Sequence, residues 1–352
     1  MSRFFDPRYS GLAPYVPGEQ PRDVVYIKLN TNESPFPPSP RAVAAAAEAA
    51  GRLQLYSDPE ALALRREFAR IFGLEADRVV FSNGSDEILY WIFLAFCADG
   101  AAFPALSYGF YPVYGEFTGT PCTQIPLRED YSVAPEDYYH LGKTVILANP
   151  NAPTGLALSA AQIEEILRTN PDNVVAVDEA YVDFGAESCL PLIDRYDNLL
   201  VVQTFSKSRS MAGARLGFAA GSRELIEDLN RVKYSTNPYN VNSMTMAAGI
   251  AALADEEYTR KNCRIIAENR DYTIAQLRAM GFFVTDSLAN FVFARHPAVS
   301  GRTLYEKLRE RGVLVRHFSR EDIIDFNRIT VGTREQMDIL LEKTREILEE
   351  TK

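Results

Sequence analysis

The sequence predicts an α/β protein: a large, doubly wound, mostly parallel sheet domain followed by a smaller α+β domain. Three observations predict it. Short apolar runs alternate with helical periods between residues 78 and 220, which is the pattern of βαβ units. Three of those runs end in polar clusters, at 149–155, 178–181 and 204–215, and ligands of a doubly wound sheet sit at the strand C-terminal ends. Beyond a long helical stretch the pattern changes to helices mixed with strands of an antiparallel kind. The 352 residues, 47% hydrophobic, are ample for two cores. The expected division is an arm over 1–40, a large domain over 41–259 and a small domain over 260–352.

Residues 1–40 are rich in Pro, Gly, Asn and Tyr and carry little period. Four prolines within 32–40 exclude a helix there. The aromatics Phe4, Phe5, Tyr9, Tyr15, Tyr26 and Phe36 favour an ordered arm over a disordered one. Alanine-rich 41–50 predicts a helix ended by Gly51. A turn over 55–59 precedes an amphipathic helix over 60–72, stopped at Gly73. A strand over 78–82 runs through Asn83-Gly84-Ser85-Asp86-Glu87 into an apolar helix over 88–97. Next comes an aromatic cluster, Tyr108, Phe110, Tyr111 and Tyr114. Such clusters are usually core, though one ring is able to stack on a planar ligand. Strands are predicted over 144–148, 174–177, 199–202 and 216–220, with a helix over 159–168. Helices over 223–233 and 243–254 flank a break at 237–242. The rest reads as helix 256–280, strands 282–285 and 291–294, helix 303–311, strands 313–316 and 327–331, and helix 334–350.

Composition excludes several classes. A formal net charge of −10 argues against nucleic acid as a partner while leaving room for a local basic pocket. Cys97, Cys122, Cys189 and Cys263 lie far apart, with neither metal-ligand nor redox spacing, and so read as reduced thiols. The three histidines are also scattered, and no metal site is expected. No signal-type apolar region follows Met1, and the longest apolar run, 88–98, is too short to span a bilayer. A soluble, cytoplasmic protein without a membrane partner is the expectation.

The three polar clusters differ in chemistry, and together they fit a pyridoxal 5'-phosphate site. Lys207, between Ser206 and Ser208, supplies an amine for a Schiff base. A lysine at a strand exit is more often a solvated surface residue, and its meaning comes from the other two clusters. A buried carboxylate against the pyridine nitrogen raises that nitrogen's proton affinity, because an opposite charge favours the charged form. Asp178 is the candidate. Glu179 points to the other face if the strand continues. Tyr181 is placed to donate to the ring 3-hydroxyl oxygen. Ser206 and Arg215 suit the phosphate, Arg215 through a bidentate fork. At Asn83-Gly84-Ser85-Asp86-Glu87, free N–H groups at a helix start attract anions, and Gly84 allows close approach. The same stretch fits an ordinary helix start, whose first turn suits Asp86 and Glu87 through the dipole.

The set Asn-Pro-Asn-Ala-Pro-Thr-Gly (149–155), Asp-Glu-Ala-Tyr (178–181) and Ser-Lys-x7-Arg (206–215) resembles the fold-type I aminotransferases. Leu-Asn-Thr-Asn-Glu-Ser-Pro (29–35), Asn-Gly-Ser-Asp-Glu (83–87), Gly-Val-Leu-Val-Arg (312–316) and Arg-Ile-Thr-Val-Gly-Thr (328–333) narrow the resemblance to the histidinol-phosphate aminotransferase family, from about residue 10 to 345. The resemblance implies a fold-type I, aminotransferase-like architecture. It places Gly84, Ser85, Asp86, Thr204, Ser206 and Arg215 at the cofactor phosphate, Tyr108 stacked on the ring, and Asp178 and Tyr181 on its nitrogen and oxygen. It places Tyr56 at the cofactor phosphate of a neighbouring subunit, which implies a homodimer with the arm at its contacts; Tyr56 also reads as a plain turn aromatic. Arg328 is implied at the acidic end of the substrate, helped by Arg316 and by Tyr15 of the arm, although both arginines also read as surface ion-pair partners.

Two positions depart from the family pattern. Relatives usually carry a second asparagine before Pro-Thr-Gly, bonding the 3-hydroxyl oxygen, where this chain has Ala152. Either Asn151 turns in to serve, or Tyr181 and water do. One hydrogen bond, about 1 kcal/mol, is too little to abolish binding. Ser34 replaces a frequent asparagine, and nothing follows from it. The implied activity is transamination between L-histidinol phosphate and 2-oxoglutarate. The competing readings are an aromatic amino-acid aminotransferase, a phosphothreonine decarboxylase, and a non-catalytic cofactor-binding regulator. The regulator reading expects an appended DNA-binding domain or a lost lysine, and this sequence shows neither.

Overall fold

The computed structural model of the chain describes residues 2–21 and 25–350. A short strand β1 (Ile27–Lys28) precedes helices α1 (Pro40–Ala50) and α2 (Leu62–Phe72). Then come β2 (Val79–Ser82), α3 (Ser85–Phe96), β3 (Ala101–Pro104), α4 (Phe110–Thr118) and β4 (Cys122–Ile125). They are followed by β5 (Thr144–Ala148), α5 (Ala160–Thr169), β6 (Val175–Asp178), β7 (Leu199–Thr204) and β8 (Gly217–Gly221). Helices α6 (Arg223–Thr236), α7 (Ser243–Ala254) and α8 (Glu256–Ala279) lead to β9 (Phe283–Val284) and β10 (Phe291–Arg295). The chain closes with α9 (Gly301–Glu310), β11 (Val313–Leu314), β12 (Arg316–His317), β13 (Phe326–Thr330) and α10 (Arg334–Glu349).

Seven strands form one sheet in the order β2-β8-β7-β6-β5-β3-β4. All pairs are parallel except those of β8, which runs antiparallel to β2 and β7. Residues of β5, β6 and β7 are buried throughout, because helices cover both faces; this is why these strands read as continuous apolar runs rather than alternations. One apolar cluster, including Phe68, Phe81, Phe205 and Phe218, fills one face; another, including Trp91, Ile92 and Phe103, fills the other. The register sets Ala148 beside Asp178 and Asp178 beside Val202, so the exits of β5, β6 and β7 lie side by side. That brings the three polar clusters of the sequence to one sheet edge.

A second, antiparallel sheet has the order β12-β13-β10-β9, with its own core around Ile266, Leu277, Val292 and Leu340. The strand expected over 313–316 is two strands. Val313 and Leu314 pair in parallel with Ile27 and Lys28 of the arm, whereas Arg316 and His317 pair with β13. The arm is thus hydrogen-bonded to this half of the molecule, through Leu29 N–H to Leu314 and Thr330 N–H to Leu29 as well.

No element was expected between 98 and 143, yet β3, α4 and β4 lie there. Ala-Ala-Phe-Pro carries no β-branched residue and no alternation, so β3 gives no strand signal. Pro112 and Gly115 argue against a helix by propensity. Pro112 falls in the first turn, where a missing N–H leaves no bond unmade. Gly115 is needed: a Cβ there would come within 2.2 Å of Cys122 Sγ, so α4 packs on β4 only through a glycine. Helix α3 starts at Ser85, three residues before the expected 88, because Ser85, Asp86 and Glu87 form its first turn. All four cysteines are free. Among the described residues no helix is long and apolar enough to cross a membrane.

Candidate active site

A cavity of about 440 Å³ opens at the exits of β5, β6 and β7. Ser85, Asp86, Tyr108, Asp178, Tyr181, Thr204, Ser206, Lys207 and Arg215 all line it. One end is a cradle for an anion. Gly84 has φ +76°, which frees the first N–H groups of α3, and a Cβ there would lie 2.4 Å from Arg215 Nη2. Arg215 Nη1 donates to Ser206 Oγ at 3.5 Å, and Thr204 Oγ1 donates to Ser206 Oγ at 2.9 Å. Asp86 faces this cavity. Its carboxylate takes Arg215 Nη2 at 3.0 Å and the Tyr108 hydroxyl at 2.8 Å. That pairing cancels charge where an incoming phosphate would sit, so a phosphate must share Arg215 with Asp86. A Gly84→Ala change combines positive-φ strain with collision against Arg215. It is expected to weaken pyridoxal phosphate binding to the apoprotein by roughly tenfold; an unchanged Kd by equilibrium titration would contradict the close-approach role.

Asp178, 5% exposed, lines the same cavity. Its Oδ1 accepts from Ala180 N–H at 3.2 Å and its Oδ2 from the Tyr111 hydroxyl at 2.9 Å. Burial pushes its pKa up to about 6, against the pull of those two donors. Glu179 turns to the other side, as strand alternation requires, and accepts from Cys189 N–H, Ser188 Oγ and Gln203 Nε2. Lys207 follows β7. Burial first, then the nearby Arg328, push its amine down to about 8. An ammonium so weakened is available as a neutral nucleophile at mild pH. Its Nζ donates to Thr31 O at 3.3 Å and lies 5.8 Å from the Tyr181 ring centroid. The Tyr181 hydroxyl accepts from Asn32 Nδ2 at 3.0 Å, which leaves its own proton free to donate.

A second cavity, about 350 Å³, shares Tyr108, Ala152, Tyr181 and Lys207 with the first and is lined further by Tyr15, Arg316 and Arg328. Lys207 therefore stands where the two meet. Arg316 and Arg328 are direct cross-strand partners on β12 and β13, so both side chains leave the same sheet face. Like charges placed opposite each other destabilise a sheet. Among the described residues neither arginine has a carboxylate within ion-pair distance, unlike the surface pairs such as Arg309–Glu19. Arg328 donates Nη2 to Asn30 O at 3.1 Å, and its buried Nε has no partner among the described residues. Arg316 donates to carbonyl oxygens of the arm, Val16 and Pro17, both at 3.4 Å, and lies 5.7 Å from the Phe318 ring centroid. Two guanidiniums without a described counter-ion face one cavity, and this is a chemistry for an acidic ligand.

Tyr56, Asn151 and Tyr15 do not line the first cavity. Tyr56 lines neither cavity; it is 85% exposed and stacks on Tyr239 at 4.7 Å. Asn151 does not turn in. Its amide donates to Leu106 O and Thr154 Oγ1 and its carbonyl accepts from Ser107, so it braces its own loop, while Ala152 faces both cavities. Tyr181, held by Asn32, lines both cavities beside Ala152. Tyr15 lies flat on Phe110 at 4.4 Å and only tilted to Tyr108, 6.3 Å away. Asn32 and Tyr111 have no assigned role in the sequence: Asn32 carries no chemical signal of its own, and Tyr111 belongs to an aromatic cluster that reads as core.

The donor set suits pyridoxal phosphate: a buried amine, a buried carboxylate, a phenol and an anion cradle around one cavity. The model for aminotransferase class I and II matches residues 24–343. Histidinol-phosphate aminotransferase 1 of Bordetella parapertussis is 50% identical over 353 residues, 99% of each chain. Its namesake in Bradyrhizobium diazoefficiens is 50% identical over 350 residues, 99% of this chain and 100% of that one. Among solved structures, histidinol-phosphate aminotransferase of Sinorhizobium meliloti, in complex with pyridoxal-5'-phosphate, superposes with a TM-score of 0.87 at 24% identity, covering 99% of both chains. Aspartate aminotransferase of Thermotoga maritima gives 0.81 at 22%, covering 92% of both. These two likenesses establish the fold, and the family match with the half-identical relatives establishes the rest: the chain belongs to the class I and II aminotransferases, within the histidinol-phosphate aminotransferase family.

Proposed function

We propose that the protein transfers an amino group between L-histidinol phosphate and 2-oxoglutarate, in histidine biosynthesis, with pyridoxal 5'-phosphate as cofactor. When bound, the cofactor supplies an electron-accepting ring for the carbanion that amino transfer creates. The chain's own residues do the rest. Lys207 holds the cofactor covalently through its amine and, once released, takes and returns the proton at the substrate's reacting carbon. Asp178 holds a proton at the ring nitrogen, and Tyr181 donates to the ring oxygen. Ser85 N–H, Thr204, Ser206 and Arg215 hold the phosphate. Tyr108 covers the ring face, and the arm residue Tyr15, beside Arg316 and Arg328 in the second cavity, helps hold the substrate. The observation that carries the substrate is the cross-strand pair Arg316 and Arg328, which share a cavity with Lys207 and lack a carboxylate partner among the described residues.

Arg316→Ala is expected to lower kcat/KM for histidinol phosphate by roughly 10–100-fold, the range for one charge-assisted fork, and to affect phenylalanine or tyrosine far less. Arg328→Ala should depress every pair, because it also holds a 2-oxoglutarate carboxylate. An Arg316→Ala effect equal across amino donors, read by single-turnover kinetics, would instead favour an aromatic amino-acid aminotransferase.

We also propose a cytoplasmic homodimer in which Tyr56 reaches the partner's cofactor phosphate. Its exposure beside Tyr239, outside both cavities of its own chain, supports that reading. Mixed dimers of Tyr56→Ala and Lys207→Ala subunits should then regain activity, since one site of each heterodimer would be intact. No recovery, with heterodimers shown to form, would place Tyr56 elsewhere. We further propose an arm (1–40) contributing to the small domain (260–352), beside a large domain (41–259), a division supported by the pairing of β1 with β11.

A further inference from the structure

We propose that Tyr111 is a positioning residue of this reaction: its hydroxyl holds Asp178 as an oriented carboxylate for the cofactor's ring nitrogen. The inference rests on the reading of Asp178 given above. Tyr111 lies in the first turn of α4 and is 0% exposed. Its ring packs edge-on to Tyr108 at 5.6 Å and tilted against Phe103 at 5.6 Å. Those contacts would be served equally by phenylalanine. The hydroxyl adds one thing, the 2.9 Å bond to Asp178 Oδ2.

That bond meets a specific need. A buried carboxylate is costly and tends to neutralise itself by taking a proton. A protonated Asp178 could not hold a proton on a ring nitrogen. Asp178 receives two donors, Tyr111 at one oxygen and Ala180 N–H at the other, so each oxygen keeps a lone pair for the cavity that Asp178 lines. The Tyr111 bond is the larger support for the charged form, ahead of the Ala180 N–H; Asp86 opposes the charge and Lys207 favours it. The phenol does not compete for the role of base. Burial, and after it the Asp178 charge, push its own pKa well up, so it stays a donor. Tyr111 thereby also ties Asp178 to the packing under Tyr108, the ring expected to stack on the cofactor.

The test uses the apoprotein and two ligands, pyridoxal 5'-phosphate and its 1-deaza analogue, in which a carbon replaces the ring nitrogen. Kd is measured for each on wild type and on Tyr111→Phe. Wild type should prefer the nitrogen-containing ligand. Tyr111→Phe should lose roughly 10-fold or more of that preference, entirely through weaker pyridoxal phosphate binding, with the deaza Kd unchanged. In an Asp178→Asn background Tyr111→Phe should cause no further loss. A preference undiminished in Tyr111→Phe, equal losses for both ligands, or a further tenfold loss in the Asp178→Asn background would each overturn the inference while leaving Asp178 in place. A wild type with no preference at all would overturn the Asp178 reading and this inference with it.

Discussion

Lys207→Ala is expected to lower turnover by at least about 10⁴-fold, the upper range for a positioned proton-transfer group, because one side chain performs two tasks. It anchors the cofactor, and it moves the proton at the reacting carbon. Among the described residues Lys207 has no understudy: it is the lysine at the junction of the two cavities, and the other lining cations are arginines, which do not deprotonate. Its amine is already held near 8 by burial and by Arg328, the condition a nucleophile needs. The anion cradle does not involve the lysine, so the variant should still bind pyridoxal phosphate, without covalent linkage. Borohydride reduction followed by peptide mapping checks this. Cofactor should be fixed at Lys207 in the wild type and at no lysine in the variant. Transamination by Lys207→Ala at the wild-type rate would remove it from the chemistry.

Asp178→Asn should cost about 3–5 kcal/mol of transition-state stabilisation, or roughly 10²–10⁴ in rate. Asparagine keeps the size; its carbonyl can accept from Ala180 N–H in place of Oδ1, and its amide can donate to the Tyr111 hydroxyl oxygen in place of Oδ2, so the fold should survive. What is lost is the charge that keeps a proton on the ring nitrogen. Burial magnifies that loss, since no water replaces the carboxylate at a position 5% exposed. Steady-state kcat with saturating cofactor measures it, and a change below threefold would argue against the assigned role.

Much of this site could be read in the sequence because its chemistry sits at strand exits. Asp178 and Lys207 each follow an unbroken apolar run, and parallel strands of a doubly wound sheet end together. What could not be read was whatever depends on pairing across the chain. Resemblance alone put Arg316 and Arg328 at the substrate; that they are direct cross-strand partners shows only with β12 beside β13. The strand expected over 313–316 hid this, because Val313 and Leu314 pair with the arm whereas Arg316 pairs with β13. Tyr111 looks like core because its ring is core; only the far partner Asp178 gives the hydroxyl a role. Asn151 looked available until its loop closed on Leu106, Ser107 and Thr154. Helix α4 was hidden by Pro112 and Gly115: the proline is harmless in a first turn, and a tight fit against Cys122 overrides the glycine's propensity.

We propose the guanidiniums of Arg316 and Arg328, opposite each other and without a carboxylate partner among the described residues, as the pocket for a substrate phosphate, in a cavity shared with Lys207. The most direct measurement is the single-turnover kcat/KM of the cofactor-loaded wild-type protein with histidinol phosphate, with histidinol, which differs only in lacking the phosphate, and with phenylalanine. A site built for a dianion leaves buried positive charge unpaired when a neutral group enters. Histidinol phosphate should therefore exceed histidinol by at least roughly 100-fold, the effect of two charge-assisted forks, and should also exceed phenylalanine. Equal values for histidinol and its phosphate, or a faster reaction with phenylalanine, would contradict the claim.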